Sequence, residues 1–205
     1  VNSARDLKSA LKLIVSRVST ALGTQVCSVY LFDADMGAHV LMASEGLKAE
    51  SVGRVSLQTG EGLVGLVAKH AEPINLSDAS KHPSFYYLQD TGEEEFNSFL
   101  GVPIIHHRAV LGVLVVQQRE RRRFDEGEEA FLITLSAQLS AVIALAEATG
   151  AIEGLSPSGQ KTADTVFPGV SGSSGVAMGK AVVVFPHADL NQIPQRPAKD
   201  IEHEV

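Results

Sequence analysis

The chain has 205 residues, 44% hydrophobic and 20% charged, with a formal net charge of -7, enough for one real core plus something smaller. The acidic balance removes the electrostatic reason to expect nucleic acid, which needs Lys and Arg clustered on one face. A single cysteine, Cys27, excludes an intramolecular disulfide, and no stretch approaches the ~20 apolar residues of a membrane span, so a cytoplasmic protein with no membrane contact is expected.

The sequence opens on Val1 without a signal-peptide pattern, which reads as a piece cut from a longer protein. From Asp6 to Leu22 the apolar residues Leu7, Leu11, Ile14, Val15, Val18 and Leu22 fall at helical spacing, and Gly23 stops the helix. Three strands follow, Val26 to Phe32, Val40 to Ala43 and Val52 to Leu57, with short turns that make them antiparallel neighbours. The segment GEGLVGLVAKH, Gly60 to His70, switches to helical period through Leu63, Val64, Val67 and Ala68. After a short strand at Pro73 to Leu76 comes a long irregular excursion holding Asp78, Phe85, Tyr86 and Tyr87, and loops of this length usually carry function.

Two strongly apolar strands, Phe99 to Ile105 and Val110 to Gln118, are joined by HHRA as a hairpin and are expected at the centre of the sheet. A second long helix from Asp125 to Glu147 is signalled by Phe124 and Asp125 at its start, acidic residues in its first turns and the apolar Phe131, Leu132, Leu135, Leu139, Val142 and Leu145. Beyond Thr149 the composition turns to Gly, Ser, Pro and Thr, a flexible linker, before GVSGSSGVAMGKAVVVF begins a further module too short to bury a core. The expected domains are therefore 1–148, a linker at 149–167 and the truncated start of a second domain at 168–205.

The order of these elements, with CSVYLFD, GEGLVG, PINLSDASKHPSF, FLGVPII and LGVLVVQQ, resembles the GAF family of small-molecule sensor domains. The segment GVSGSSGVAMGKAVVV looks like the opening strand of the N-terminal domain of phosphotransferase enzyme I, and a GAF domain ahead of it is similar to the nitrogen-branch enzyme I family. That resemblance implies an α+β fold, a central antiparallel sheet with the long N- and C-terminal helices packed on one face. It implies sensing of glutamine or 2-oxoglutarate and control of autophosphorylation in downstream domains, which pass phosphate from phosphoenolpyruvate through a histidine to a small histidine-phosphocarrier protein. The family's Gly-Gly, Ser/Thr-Ser-His setting is missing, since neither His187 nor His203 has it. The fragment is thus expected to have no enzymatic activity and no cofactor, with Mg²⁺ belonging to the absent catalytic domains.

In the GAF layout a ligand pocket lies between one sheet face and the excursion. The candidates for its apolar walls are Phe85, Tyr86, Phe96 and Phe99; for its polar contacts, Ser28, Tyr30, Asn75, Asp78 and His82; and for an ammonium acceptor, Glu61. The bland alternative is that the aromatics are loop core and Asp78 caps a turn. Gln117 and Gln118 stand where cyclic-nucleotide-binding GAF domains carry an Asn-Lys pair, which argues against that ligand. His106 and His107 read as a solvated turn rather than a metal site, and Arg119, Arg121, Arg122 and Arg123 as a charged surface loop or an interdomain salt-bridge site. Some GAF proteins reduce free methionine sulfoxide with several cysteines, and Cys27 alone, in an apolar strand, reads as core. The apolar run Ala141 to Ala146 is broader than one buried stripe needs, which leads to the expectation of a homodimer through the first and last helices. A dimerisation module without a metabolite ligand is the alternative function.

Overall fold

A computed structural model describes residues 3–86 and 91–149. The chain divides into two units, Val1–Thr162 and Ala163–Val205; the second, with almost all of the expected linker and the whole of the expected second domain, lies outside the described residues.

Among the described residues three α-helices and six strands follow one another as α1 (Ser3–Leu22), β1 (Val26–Asp33), β2 (Ala38–Glu45), β3 (Ser56–Gln58), α2 (Gly62–His70), β4 (Ile74–Leu76), β5 (Ser98–His106), β6 (Ala109–Gln118) and α3 (Glu126–Ala148). The strands form one sheet in the order β3-β2-β1-β6-β5-β4, every pair antiparallel. This is the α+β architecture anticipated, with one correction. The central pair is β1 and β6, paired from Val26↔Gln117 to Leu31↔Gly112, while β5 is flanked on its outer side by the three-residue edge strand β4.

Period-two alternation sends the two faces of each strand into separate cores. On one face Cys27, Val29 and Leu31 of β1, Leu100 and Val102 of β5 and Leu114 and Val116 of β6 pack under α1 and α3. Leu7, Leu11, Val15 and Val18 supply the buried stripe of α1, and Leu132, Leu139 and Ile143 that of α3. Each such side chain contributes roughly 1.5–3 kcal/mol by leaving water. On the opposite face Tyr30, Leu41, Phe99, Val113 and Val115 meet Leu63, Val64 and Val67 of α2. The sheet is thus covered on both sides, by two long helices on one and by α2 with the excursion on the other.

The strand expected at Val52 to Leu57 is shortened to Ser56–Gln58. A 3-10 turn at Ala49–Ser51 and a left-handed Gly53, φ 79°, interrupt the ladder before it. Two further 3-10 turns, Ala79–Lys81 and Glu93–Glu95, punctuate the excursion. The β5–β6 turn places His107 at φ 45° and Arg108 at φ 69°, the two left-handed positions of a two-residue hairpin. The His106 and His107 rings meet edge-on there, at 4.1 Å between centroids.

α3 corrects a second expectation, because by length and composition it is apolar enough to cross a membrane. Its inner face is instead buried on the sheet, and the surplus apolar residues Phe131, Ile133, Val142 and Leu145 remain exposed. Its first turn is held by a capping box in which Asp125 Oδ1 accepts from the Glu128 amide at 2.8 Å and Glu128 Oε2 from the Asp125 amide at 2.8 Å.

Candidate functional site

On the α2 side of the sheet lies a cavity of about 30 Å³, roughly the volume of one water. Leu57 from β3, Gly62, Leu63 and Val64 from α2, and Phe85 and Tyr86 of the excursion line it, together with Phe99, Gln117 and Glu93. α2 sits tight against β3 because residue 65 is glycine: a Cβ there would fall 2.2 Å from the Gln58 carbonyl oxygen. A larger crevice of about 380 Å³, with the exposed Lys8, Lys12 and Glu45 in its lining, lies elsewhere at the surface.

Apolar side chains make most of the cavity wall, and its polar end is short of partners. The Glu93 carboxyl is pushed up to about 7 by burial, against hydrogen bonds from the Thr91 and Gln117 side chains, with Glu94 adding to the upward push. Gln117 has only 5% of its surface exposed, and its Oε1 has no hydrogen-bond partner. Since an amide donates through nitrogen, the bond to Glu93 uses Nε2 and leaves Oε1 an acceptor facing no donor. Tyr30 lies fully buried in the same cluster, and burial first, then Glu93, raises its phenol well above the ordinary value. Thr24, His39 and Gln118 also hold orphaned polar atoms among the described residues, but only Gln117 of this group borders the cavity.

Of the residues singled out from the sequence, Phe85, Tyr86 and Phe99 line this cavity, and Tyr30 backs it. The remainder are engaged elsewhere. Ser28 shares a hydrogen bond with Ser44 of β2 at 2.8 Å. Glu61 folds back to accept from the Gln58 amide at 2.8 Å. His82 accepts at Nδ1 from the Ser84 amide at 3.1 Å. Phe96 lies beneath the Arg119 guanidinium, 5.8 Å from its ring centre. Asp78 pairs with Lys81 at 3.2 Å and Arg121 at 3.4 Å. The Ser80 hydroxyl first, then Lys81 and Arg121, hold its carboxyl below the usual carboxylate range.

Asn75 is a clamp between β4 and the start of α3. Its Nδ2 donates to the Phe124 carbonyl at 2.9 Å and to Glu129 at 2.8 Å, and its Oδ1 accepts from the Phe124 amide at 3.1 Å. Asn75→Ala is expected to lower the unfolding free energy by about 2 kcal/mol, because it strips partners from both backbone groups of Phe124; a urea midpoint unchanged from the parent chain would refute the clamp. The arginine run is likewise internal bracing. Arg119 pairs with Glu95, Arg121 with Asn97 and Asp78, and Arg122 with both oxygens of Glu128 at 2.7 Å.

Glu93 and Gln117 escaped the sequence reading for different reasons. Glu93 sits in an acidic run that looks like a solvated surface, and it stands, partly buried, on a 3-10 turn entered through the left-handed Gly92, φ 77°. Gln117 follows Val113 and Val115 at period two, a signal available from the start. Cys27 is fully buried, and burial pushes its thiol well above the ordinary range, leaving no accessible thiolate for reductase chemistry. Among the described residues no three of His, Cys, Asp and Glu converge as a metal site.

Comparison with known proteins gives a consistent set of matches. Residues 6–143 match the family described as GAF domain. The chain is 49% identical over 149 residues to the phosphoenolpyruvate-dependent phosphotransferase system protein of Escherichia coli, covering 73% of this chain and 20% of that protein. It therefore spans about a fifth of the length of the curated relatives it matches. Among solved structures it is similar to the GAF domain of a phosphoenolpyruvate-protein phosphotransferase (ptsP) from Coxiella burnetii, at 48% identity and TM-score 0.69, covering 71% of this chain and 87% of that one. The GAF domain of the Acinetobacter phosphoenolpyruvate-protein phosphotransferase matches at 50% identity and TM-score 0.65, with the same coverage.

Proposed function

Because the chain belongs to the GAF domain family, in the branch carried by phosphoenolpyruvate-protein phosphotransferases, we propose that it is the metabolite-sensing input of such an enzyme. In this reading it binds glutamine or 2-oxoglutarate as a signal of nitrogen status and controls phosphorylation of domains that follow it, with residues 168–205 opening the first of them. Those domains hand phosphate to a small histidine-phosphocarrier protein, and the GAF domain performs no chemistry itself.

The observation that carries the sensing role is the unsatisfied polar end of the cavity. A buried acceptor without a donor and a carboxyl held near neutral pH are costly in a finished core and useful in a binding site. At about 30 Å³ the space holds no amino-acid-sized molecule as it stands. Entry requires Phe85 and the half-exposed Tyr86 to swing outward from α2. Calorimetric titration of the chain with glutamine and with 2-oxoglutarate should give saturable heat and a raised melting temperature with one of them. Silence with both would leave the domain without a metabolite.

A second role is supported by a separate observation. Leu13 of α1 and Val142 and Leu145 of α3 are exposed, Leu145 to 65%, beside an apolar groove of about 370 Å³ lined by Leu7, Ala10 and Ala146. Such a face fits a homodimer built through the two long helices. Light scattering at high micromolar concentration should report the mass of two chains, and Leu145→Glu that of one; a one-chain mass for the parent protein would remove the dimer.

A further inference from the structure

Glu93 and Gln117 meet at one end of the cavity, joined by the bond from the Gln117 amide, with Oε1 of the same amide left open. The groups that face Glu93 come from every neighbouring segment. Tyr30 approaches from β1 and Gln117 from β6, Thr91 and Glu94 stand on its own turn, and the alkyl stem of Lys48 lies against Gly92 beside it. Among the described residues no Lys, Arg or His lines the cavity. An incoming carboxylate would find no cation there, and it would confront Glu93. An ammonium or primary amide would meet two acceptors already aimed at one space.

The geometry points to this end of the pocket as a proton-linked reader of hydrogen-bond-donating head groups. The ligand's N–H groups donate to Gln117 Oε1 and to Glu93, and the Glu93 carboxyl releases its proton to solvent as the ligand enters. This rests on the sensing role proposed above and adds its selectivity and its pH dependence. The balance is simple: one O–H bond of Glu93 breaks, the proton goes to buffer, and the positive or polar N–H head takes its place beside the carboxylate.

The sign of the pH dependence follows. In the free protein Glu93 titrates at about 7, and a bound ammonium or amide lowers that value. Binding is therefore strongest above about 7 and weakens by up to about tenfold for each pH unit below it, until the bound-state value is reached. A ligand presenting a carboxylate to Glu93 gives the opposite slope, taking up a proton and weakening as the pH rises through about 7.

The test is calorimetry of the chain with glutamine, which carries both donor heads, and with 2-oxoglutarate, from about pH 5.5 to about 8.5, in buffers of different ionisation enthalpy. Glutamine should release roughly half a proton near pH 7 and show the stated loss of affinity below it. Glu93→Gln should abolish both the proton release and the slope, and Gln117→Leu should weaken binding by about tenfold. Melting curves at acidic pH, where Glu93 is protonated, check that the variants fold; if one does not, the proton count of the parent chain decides alone. Glutamine binding without proton release, a slope that survives Glu93→Gln, or tighter 2-oxoglutarate binding with proton uptake would overturn the inference and leave the sensor intact. No heat with either compound at any pH would overturn both.

Discussion

Raising the pH from about 4.5 to about 7 is expected to cost the ligand-free fold on the order of 3 kcal/mol through Glu93 alone, and Glu93→Gln is expected to remove that cost. The carboxyl is raised from its ordinary 4.5 to about 7 in the folded chain, so between those values the native state holds a proton that the unfolded chain has lost. Stability from this group is fully present below 4.5, declines through the window and is gone above about 7. Asp78 and Glu128 are lowered instead, the first mainly by Ser80 and the second mainly by Arg122. Their contribution is lost in acid, below the Glu93 window, so the difference between parent chain and variant isolates Glu93. Urea unfolding across the range measures it, and parallel curves for the two proteins would mean that the carboxyl is solvated.

Gly65→Ala should be as damaging, at about 3 kcal/mol or more, by a purely steric route. The new methyl would stand 2.2 Å from the Gln58 carbonyl oxygen and 2.9 Å from the Gly60 nitrogen. Both obstacles are backbone, and neither has a rotamer to yield. The Gly65 carbonyl also accepts from the Gly60 amide at 2.7 Å, tying the segment before α2 to the helix. Relief requires α2 to back away from β3, carrying Leu63 and Val64 with it and dismantling one wall of the cavity. A loss of stability under 1 kcal/mol in chemical denaturation would show that α2 is not seated as described.

Where hydrophobic period decided the structure, the sequence was readable. The stripes of α1 and α3, the switch of period at α2 and the apolar runs of β5 and β6 each correspond to one element that buries one face. The segment Val52 to Leu57 misled because its valines and Leu57 are strand-like, while Gly53 takes a left-handed turn that no apolar count registers. At the site, the aromatic wall was legible and the polar end was not. Asn, Asp, Glu and Ser serve equally as ligand contacts or as fasteners of backbone, and only the fold assigns the employer. Asn75 shows this best, because its three bonds all go to Phe124 and Glu129 at the start of α3. Glu93 shows the converse, a charge hidden inside a run that composition places in water.

The anchoring of α3 sets how any disturbance travels along it. Asn75, the Asp125–Glu128 box and the Arg122 fork all grip its first turn or the residues just before it, so that end behaves as a fixed pivot. The helix continues for 23 residues, about 35 Å at 1.5 Å per residue. A swing of about 5° around the pivot moves the distal end by about 3 Å, comparable to half a helical turn. In the sensing role proposed above, a rod held at its base would pass a slight change in the sheet beneath Leu139 and Ile143 to Ala148 as a larger stroke.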